Sequence, residues 1–180
     1  TLFRSSAASD VYKRQGLMAI SANFDETTNI LKMSHPNKND LIFCPDTEGD
    51  KLIEWTKDLI PSDRSGSAKL IRAKASAMTD TDYPSITICS STSHDALAKE
   101  MGCDLSKNRW RGNLWIDDLE PWEEMEWIGK IVQIGNIKFD IVEPVQRCMA
   151  TTANPETGVR DADTLGALQS HGHQLSLIHI

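Results

Sequence analysis

A chain of 180 residues, 25% charged and 39% hydrophobic, is long enough for one domain or one domain plus a fragment and has an ordinary globular composition. A formal net charge of -7 argues against general nucleic-acid or anionic-membrane binding, since both want a basic surface. No apolar run approaches the roughly 20 residues that span a bilayer and nothing reads as a signal peptide, while the four cysteines lack metal-finger spacing, so a soluble protein with free thiols in a reducing cytoplasm is expected.

Residues 1–15 (TLFRSSAASDVYKRQ) and 175–180 (LSLIHI) share no periodicity with their neighbours and resemble translated sequencing-adapter read-through. Both are expected to be non-native, with the natural protein cut at both ends, and are set aside from fold reasoning. From Gly16 to Cys44 the pattern is β: an apolar run at Leu17 to Ser21, a turn at Asp25 to Asn29, a strand at Ile30 to Met33, a loop, and its return at Leu41 to Phe43. Asp50 is placed to cap a helix in which Leu52, Trp55 and Leu59 recur at i, i+3 and i+7, stopped by Pro61. Ser62 to Ser67 reads as a loop and the best boundary candidate, and Lys69 to Arg72 as a strand, with 16–78 and 79–174 taken as the two segments.

Ser85 to Cys89 reads as a further strand, and Thr92 or Ser93 as the cap of a helix that buries Leu97 and Met101 and stops at Gly102. Arg109, Arg111 and Asn113 alternate in RWRGN, so a strand there projects all three to one side and Trp110 to the other, a local anion cradle in an acidic chain. A solvated pair of arginines is the plainer reading. A helix is expected from Pro121, with Trp122 and Met125 inward, Glu123, Glu124 and Glu126 solvated, and Gly129 as the stop. Gly135-Asn136 between two apolar runs is a hairpin signal, and Asp161 or Asp163 caps a last helix that ends at Gly172. His171 and His173 read as helix-end histidines rather than a metal pair.

The stretch 137–161, IKFDIVEPVQRCMATTANPETGVRD, organises the chain. Its strand pattern should end at Pro144, delivering Gln146, Arg147 and Cys148, then the hydroxyl pair Thr151 and Thr152 and a Pro-Glu-Thr-Gly turn. A guanidinium beside a thiol favours the thiolate, the form that ligates soft metals or carries sulfur. On local chemistry alone the commoner reading of such a cysteine is a small packed hydrophobe.

QRCMATTANPETGVRDAD, with the upstream NRWRGNLWIDDLEPWEEMEWIGKIVQIGNIKFDIVEP, resembles the MOSC domain family, the molybdenum-cofactor sulfurase C-terminal domain. Arg-x-Asn, an Ile-Gly hairpin, Arg-Cys, a Thr pair and a Pro-Glu-Thr-Gly turn occur in the family's order, with Asn154 where the family usually has Asp. The resemblance runs from about Asp80 to His173 and more loosely back to Gly16. It implies a mainly β fold with peripheral helices (α+β), a MOSC-like β-barrel, here truncated at both ends, with 16–78 a remnant of the β-rich segment that precedes the MOSC domain.

The resemblance also implies binding of the molybdenum cofactor, a pterin whose dithiolene holds the metal and whose tail carries a phosphate. Cys148 becomes the metal ligand and catalytic thiol, with Arg111, Asn113, Gln146, Arg147 and Thr81 as cofactor-binding residues. Arg109 has no family counterpart. The implied activity is an oxidoreductase that reduces N-hydroxylated compounds, similar to bacterial and mitochondrial amidoxime-reducing-component-like proteins; the alternative is a sulfur carrier that holds a persulfide on Cys148. The partners are a separate iron-sulfur or flavin electron donor, or a cysteine desulfurase that holds the pyridoxal phosphate.

Overall fold

The structure, a computed structural model, describes residues 15–62, 65–72, 83–172 and 174–179. They divide into two compact units, one holding 15–62, 65–72 and 153–161, the other 83–152, 162–172 and 174–179. Among them no helix is long and apolar enough to cross a membrane.

The first unit is built on an antiparallel sheet of β1 (Ser21–Asp25), β2 (Ile30–His35) and β3 (Lys38–Phe43). The apolar run from Leu17 is not its first strand: Gln15–Ala19 is a 3-10 turn, and β1 starts at Ser21. Asp25 closes the β1–β2 turn by accepting hydrogen bonds from the Thr27 amide and the Thr28 hydroxyl, and Asn29 takes the left-handed conformation that ends it. β2 alternates, burying Leu31, Met33 and His35. Helix α1 (Gly49–Thr56) buries Leu52, but its cap position is Glu48 rather than Asp50. Trp55 is half-buried, its indole N–H donating to the Asn39 carbonyl. Residues 69–72 form no strand; Arg72 instead makes a two-pronged ion pair with Asp46.

The second unit is built on a five-stranded sheet in the order β5 (Leu114–Ile116), β4 (Ile86–Ser90), β8 (Gln174–His179), β7 (Ile137–Gln146), β6 (Ile131–Ile134). Only the β4–β5 pair is parallel. β8 lies in the stretch set aside as a foreign tail, yet it is hydrogen-bonded to β4 on one side and β7 on the other. β4 is covered on both faces, with Ile88 and Cys89 fully buried. Cys89 packs with Leu97, Leu105, Trp110, Leu168 and Leu175, while Ile88 packs with Ile141 against Met125, Trp127 and Phe139.

Helix α2 (Ser91–Met101) covers the Cys89 face and buries Leu97 completely, a burial worth about 2–3 kcal/mol. Its cap is Ser90, whose hydroxyl accepts from the Ser93 amide, one turn before the Thr92 or Ser93 expected; Gly102, in the left-handed conformation, ends it as expected. The helix expected from Pro121 is instead a 3-10 turn, Glu123–Trp127. Gly135-Asn136 closes the β6–β7 hairpin with Ile134 opposite Ile137. Asp163 caps helix α3 (Thr164–Ala167) through the Gly166 amide. The fold is thus mixed α and β with short helices. Neither sheet closes into a barrel among the described residues.

Candidate functional site

Pro144 does not end β7. It pairs with Leu177 of β8, flanked by two register shifts, so the strand absorbs the missing N–H by bulging and continues to Gln146. Cys148 follows as an exposed thiol. Its carbonyl accepts from the Thr151 amide at 3.2 Å and the Thr151 hydroxyl at 3.0 Å, which folds Met149–Thr152 into a 3-10 turn. The hydroxyl pair is used up within the protein: Thr151 also meets the Thr164 hydroxyl at 2.7 Å, Thr152 donates to the Met149 carbonyl, and both residues are buried.

Arg147 points inward. Its Nε donates to the Leu175 carbonyl and its Nη1 to the Trp110 carbonyl, each at 2.8 Å. Nη2 lies 3.9 Å from the Cys89 sulfur, and the guanidinium carbon stands 5.7 Å over the Trp110 ring. Burial pulls the guanidinium pKa below its ordinary value, opposed by Cys89 and Cys148.

RWRGN is not a strand, so its alternating residues do not share a face. Ser106 caps a 3-10 turn, Lys107–Trp110, and Arg111 takes the left-handed conformation at φ 51°, which scatters the side chains. Arg109 is buried with Nη1 3.4 Å from the Thr151 carbonyl. Trp110 is buried as well, its indole N–H donating to His94 Nδ1 at 2.8 Å. Burial lowers the His94 pKa and keeps the ring neutral, as an acceptor at Nδ1 requires. Asn113 extends the β4–β5 pairing: its amide donates to the Thr87 carbonyl, and its side-chain oxygen accepts from the Thr87 amide. Of the three residues read as a cradle, Arg111 and Asn113 are exposed and Arg109 is buried.

The Arg147–Trp110 and Arg109–Thr151 hydrogen bonds nevertheless draw the Arg109–Asn113 segment and the Arg147–Thr152 segment together. Gln146, exposed at the end of β7, pairs in register with Gln174. Thr81 lies outside the described residues, as does His173. His171 stacks on Trp122, with ring centroids 3.7 Å apart.

Glu124, read as part of a solvated face, is fully buried. Its Oε2 accepts from the Ser93 hydroxyl at 2.7 Å, the Trp122 amide donates to the same hydroxyl at 2.8 Å, and Oε1 has no hydrogen-bond partner among the described residues. Desolvation raises its pKa, only partly offset by the Ser93 bond. The sequence holds a weak signal for this: Glu124 lies between Trp122 and Met125, which turn inward.

Asn154, where the resembling family usually has Asp, holds the Pro-Glu-Thr-Gly turn from both ends of its amide. Its oxygen accepts from the Glu156 amide, and its nitrogen donates to the Asp161 carboxylate, each at 2.8 Å.

Among the described residues no three His, Cys, Asp or Glu side chains converge on a metal position. A metal that brings its other ligands with it, as a dithiolene-held molybdenum does, suits a single protein thiolate. An exposed thiolate suits such a metal, and an exposed Arg111 suits a phosphate tail, so these two residues fit the cofactor; Arg147 is bonded to backbone carbonyls, and the side-chain oxygen of Asn113 to the Thr87 amide.

A family profile described as MOSC domain matches residues 77–175. A molybdenum cofactor sulfurase of Drosophila melanogaster is 26% identical over 125 residues, covering 65% of this chain and 15% of that protein. One from Drosophila grimshawi is 39% identical over 70 residues, 39% of this chain and 9% of its own length. Molybdenum cofactor sulfurase 2 of Culex quinquefasciatus is 34% identical over 71 residues, with the same coverages. The chain therefore spans 9 to 15% of these relatives' length.

Proposed function

Because this chain belongs to the MOSC domain family, we propose that it binds the molybdenum cofactor and that the Cys148 sulfur is its working atom. One observation carries the reading: after the end of β7 the Arg147, Thr151 and Thr152 side chains are folded back into the protein, and Cys148 itself is exposed. The bound cofactor supplies the metal centre at which electrons or sulfur are exchanged. Cys148 as thiolate donates a soft ligand to that centre, Arg111 offers its guanidinium fork to the phosphate, and Gln146 offers an amide beside them. The five-stranded sheet would be the open part of a MOSC-like barrel.

Two reactions suit this arrangement. In the first, Cys148 would hold the metal as its protein ligand, and the bound cofactor would supply the redox chemistry for reducing N-hydroxylated compounds, with electrons from a separate iron-sulfur or flavin protein. In the second, Cys148 takes a sulfane sulfur from the persulfide of a cysteine desulfurase, whose own thiolate departs, and hands it on; any pyridoxal phosphate belongs to that partner. The names of the relatives favour the second. Both place the protein in the cytoplasm with its donor. Incubation with a cysteine desulfurase and free cysteine should add a sulfane-sulfur mass increment on the peptide that carries Cys148. An increment on Cys103 instead, or on no cysteine, would remove the sulfur-carrier reading and leave the reductase, assayed with an N-hydroxylated substrate.

A further inference from the structure

We propose that Arg147 is a positioning residue for Cys148, a brace that ties the turn bearing the thiol to the Trp110 segment and to β8, rather than a contact to bound ligand. The inference rests on the reading of Cys148 as the working thiol. An arginine that binds phosphate turns its donor fork outward. Here Nε and Nη1 are both spent at 2.8 Å on backbone carbonyls of different segments, Leu175 and Trp110, and Nη2 faces the Cys89 sulfur. The Cys89 sulfur that Nη2 faces is itself closely packed: a Cβ on Gly112 would meet it at 2.4 Å.

Cys148 is the next residue along the chain, its Cα about 3.8 Å from that of Arg147. Any play in the Arg147 backbone therefore passes to the sulfur, and a misplacement of about 1 Å at a reacting atom costs on the order of a hundredfold in rate. Lysine cannot replace the brace. Its single ammonium keeps the charge but cannot reach two carbonyls on separate segments with fixed geometry.

The test uses the cofactor-free protein and its Arg147→Lys and Arg147→Met variants. Amide hydrogen exchange is followed over 146–152 and 110–113, with iodoacetamide alkylation of Cys148 measured against Cys103, which is exposed in the same chain. In both variants exchange over these two segments should quicken by about tenfold or more, the expected result of losing hydrogen bonds to a charged donor. The Cys148 to Cys103 alkylation ratio should change with it, and sulfur loading on Cys148 should fall without rescue by lysine. Unchanged exchange and an unchanged ratio in both variants, or full rescue by lysine, would overturn the proposal in favour of a ligand contact. Should the methionine variant fail to fold, Gly112→Ala, whose Cβ would meet the Cys89 sulfur at 2.4 Å and force the packing next to Nη2 to shift, is expected to disturb the same two readouts. A Cys148→Ser variant that loads cofactor like the parent would end the reading of Cys148 as the metal's ligand while leaving the brace, measured without cofactor, standing.

Discussion

Replacing Glu124 by glutamine should make the protein progressively more stable relative to the parent as pH rises. Glu124 is fully buried, bonds to Ser93 through one oxygen, and leaves the other without a partner among the described residues. Desolvation raises its pKa above the ordinary value of 4.5. A carboxyl whose folded pKa exceeds its unfolded one contributes stability that is fully present below the unfolded value and is lost as pH rises through the folded one. Each unit of elevation corresponds to about 1.4 kcal/mol of that loss. Glutamine keeps an oxygen for the Ser93 hydroxyl but does not ionise. Its buried amide nitrogen costs about 1–3 kcal/mol, a constant offset independent of pH. The informative quantity is therefore the difference in unfolding free energy between Glu124→Gln and parent, from urea titrations at a series of values from about pH 4 to 8. Other titrating groups, His94 included, are common to both proteins and cancel. A difference that stays constant across the series, or moves against glutamine with rising pH, would refute the reasoning.

His94→Gln should cost about 1–3 kcal/mol near pH 7.5 through loss of the Trp110 contact. Because the His94 pKa is lowered, its contribution is present above the ordinary value of 6.5 and is lost as pH falls, so the gap to the parent should narrow in titrations at acid pH. Asn154→Asp should destabilise the Pro-Glu-Thr-Gly turn by about 1 kcal/mol, because the new carboxylate faces Asp161 where an amide now donates to it. That loss should shrink when thermal unfolding is repeated in high salt or at a pH that protonates the pair.

What could be read from the sequence was what local chemistry decides. Gly135-Asn136 specifies its hairpin because a two-residue turn needs that backbone, and Gly102 and Asp163 mark helix ends by the conformation and the acceptor they supply. Cys148 is singled out by its motif, and the structure leaves it exposed after β7. What stayed hidden depends on distant partners. Glu124 looks solvated in its own run, and only Ser93, 31 positions earlier, shows that it is buried. The cradle expected from RWRGN failed because a local cap at Ser106 won over strand alternation, turning Arg109 inward and giving Asn113 to Thr87. β8 was missed because its composition looked foreign, while its pairing depends on two strands far away in sequence.

The most direct test is the molybdenum content, by plasma mass spectrometry, of the protein expressed in a cofactor-producing host, beside its Cys148→Ser variant. Near-stoichiometric molybdenum in the parent, lost in the variant with the fold intact, is the predicted result. Molybdenum retained undiminished in the variant, or absent from a folded parent, would contradict binding of the cofactor through Cys148.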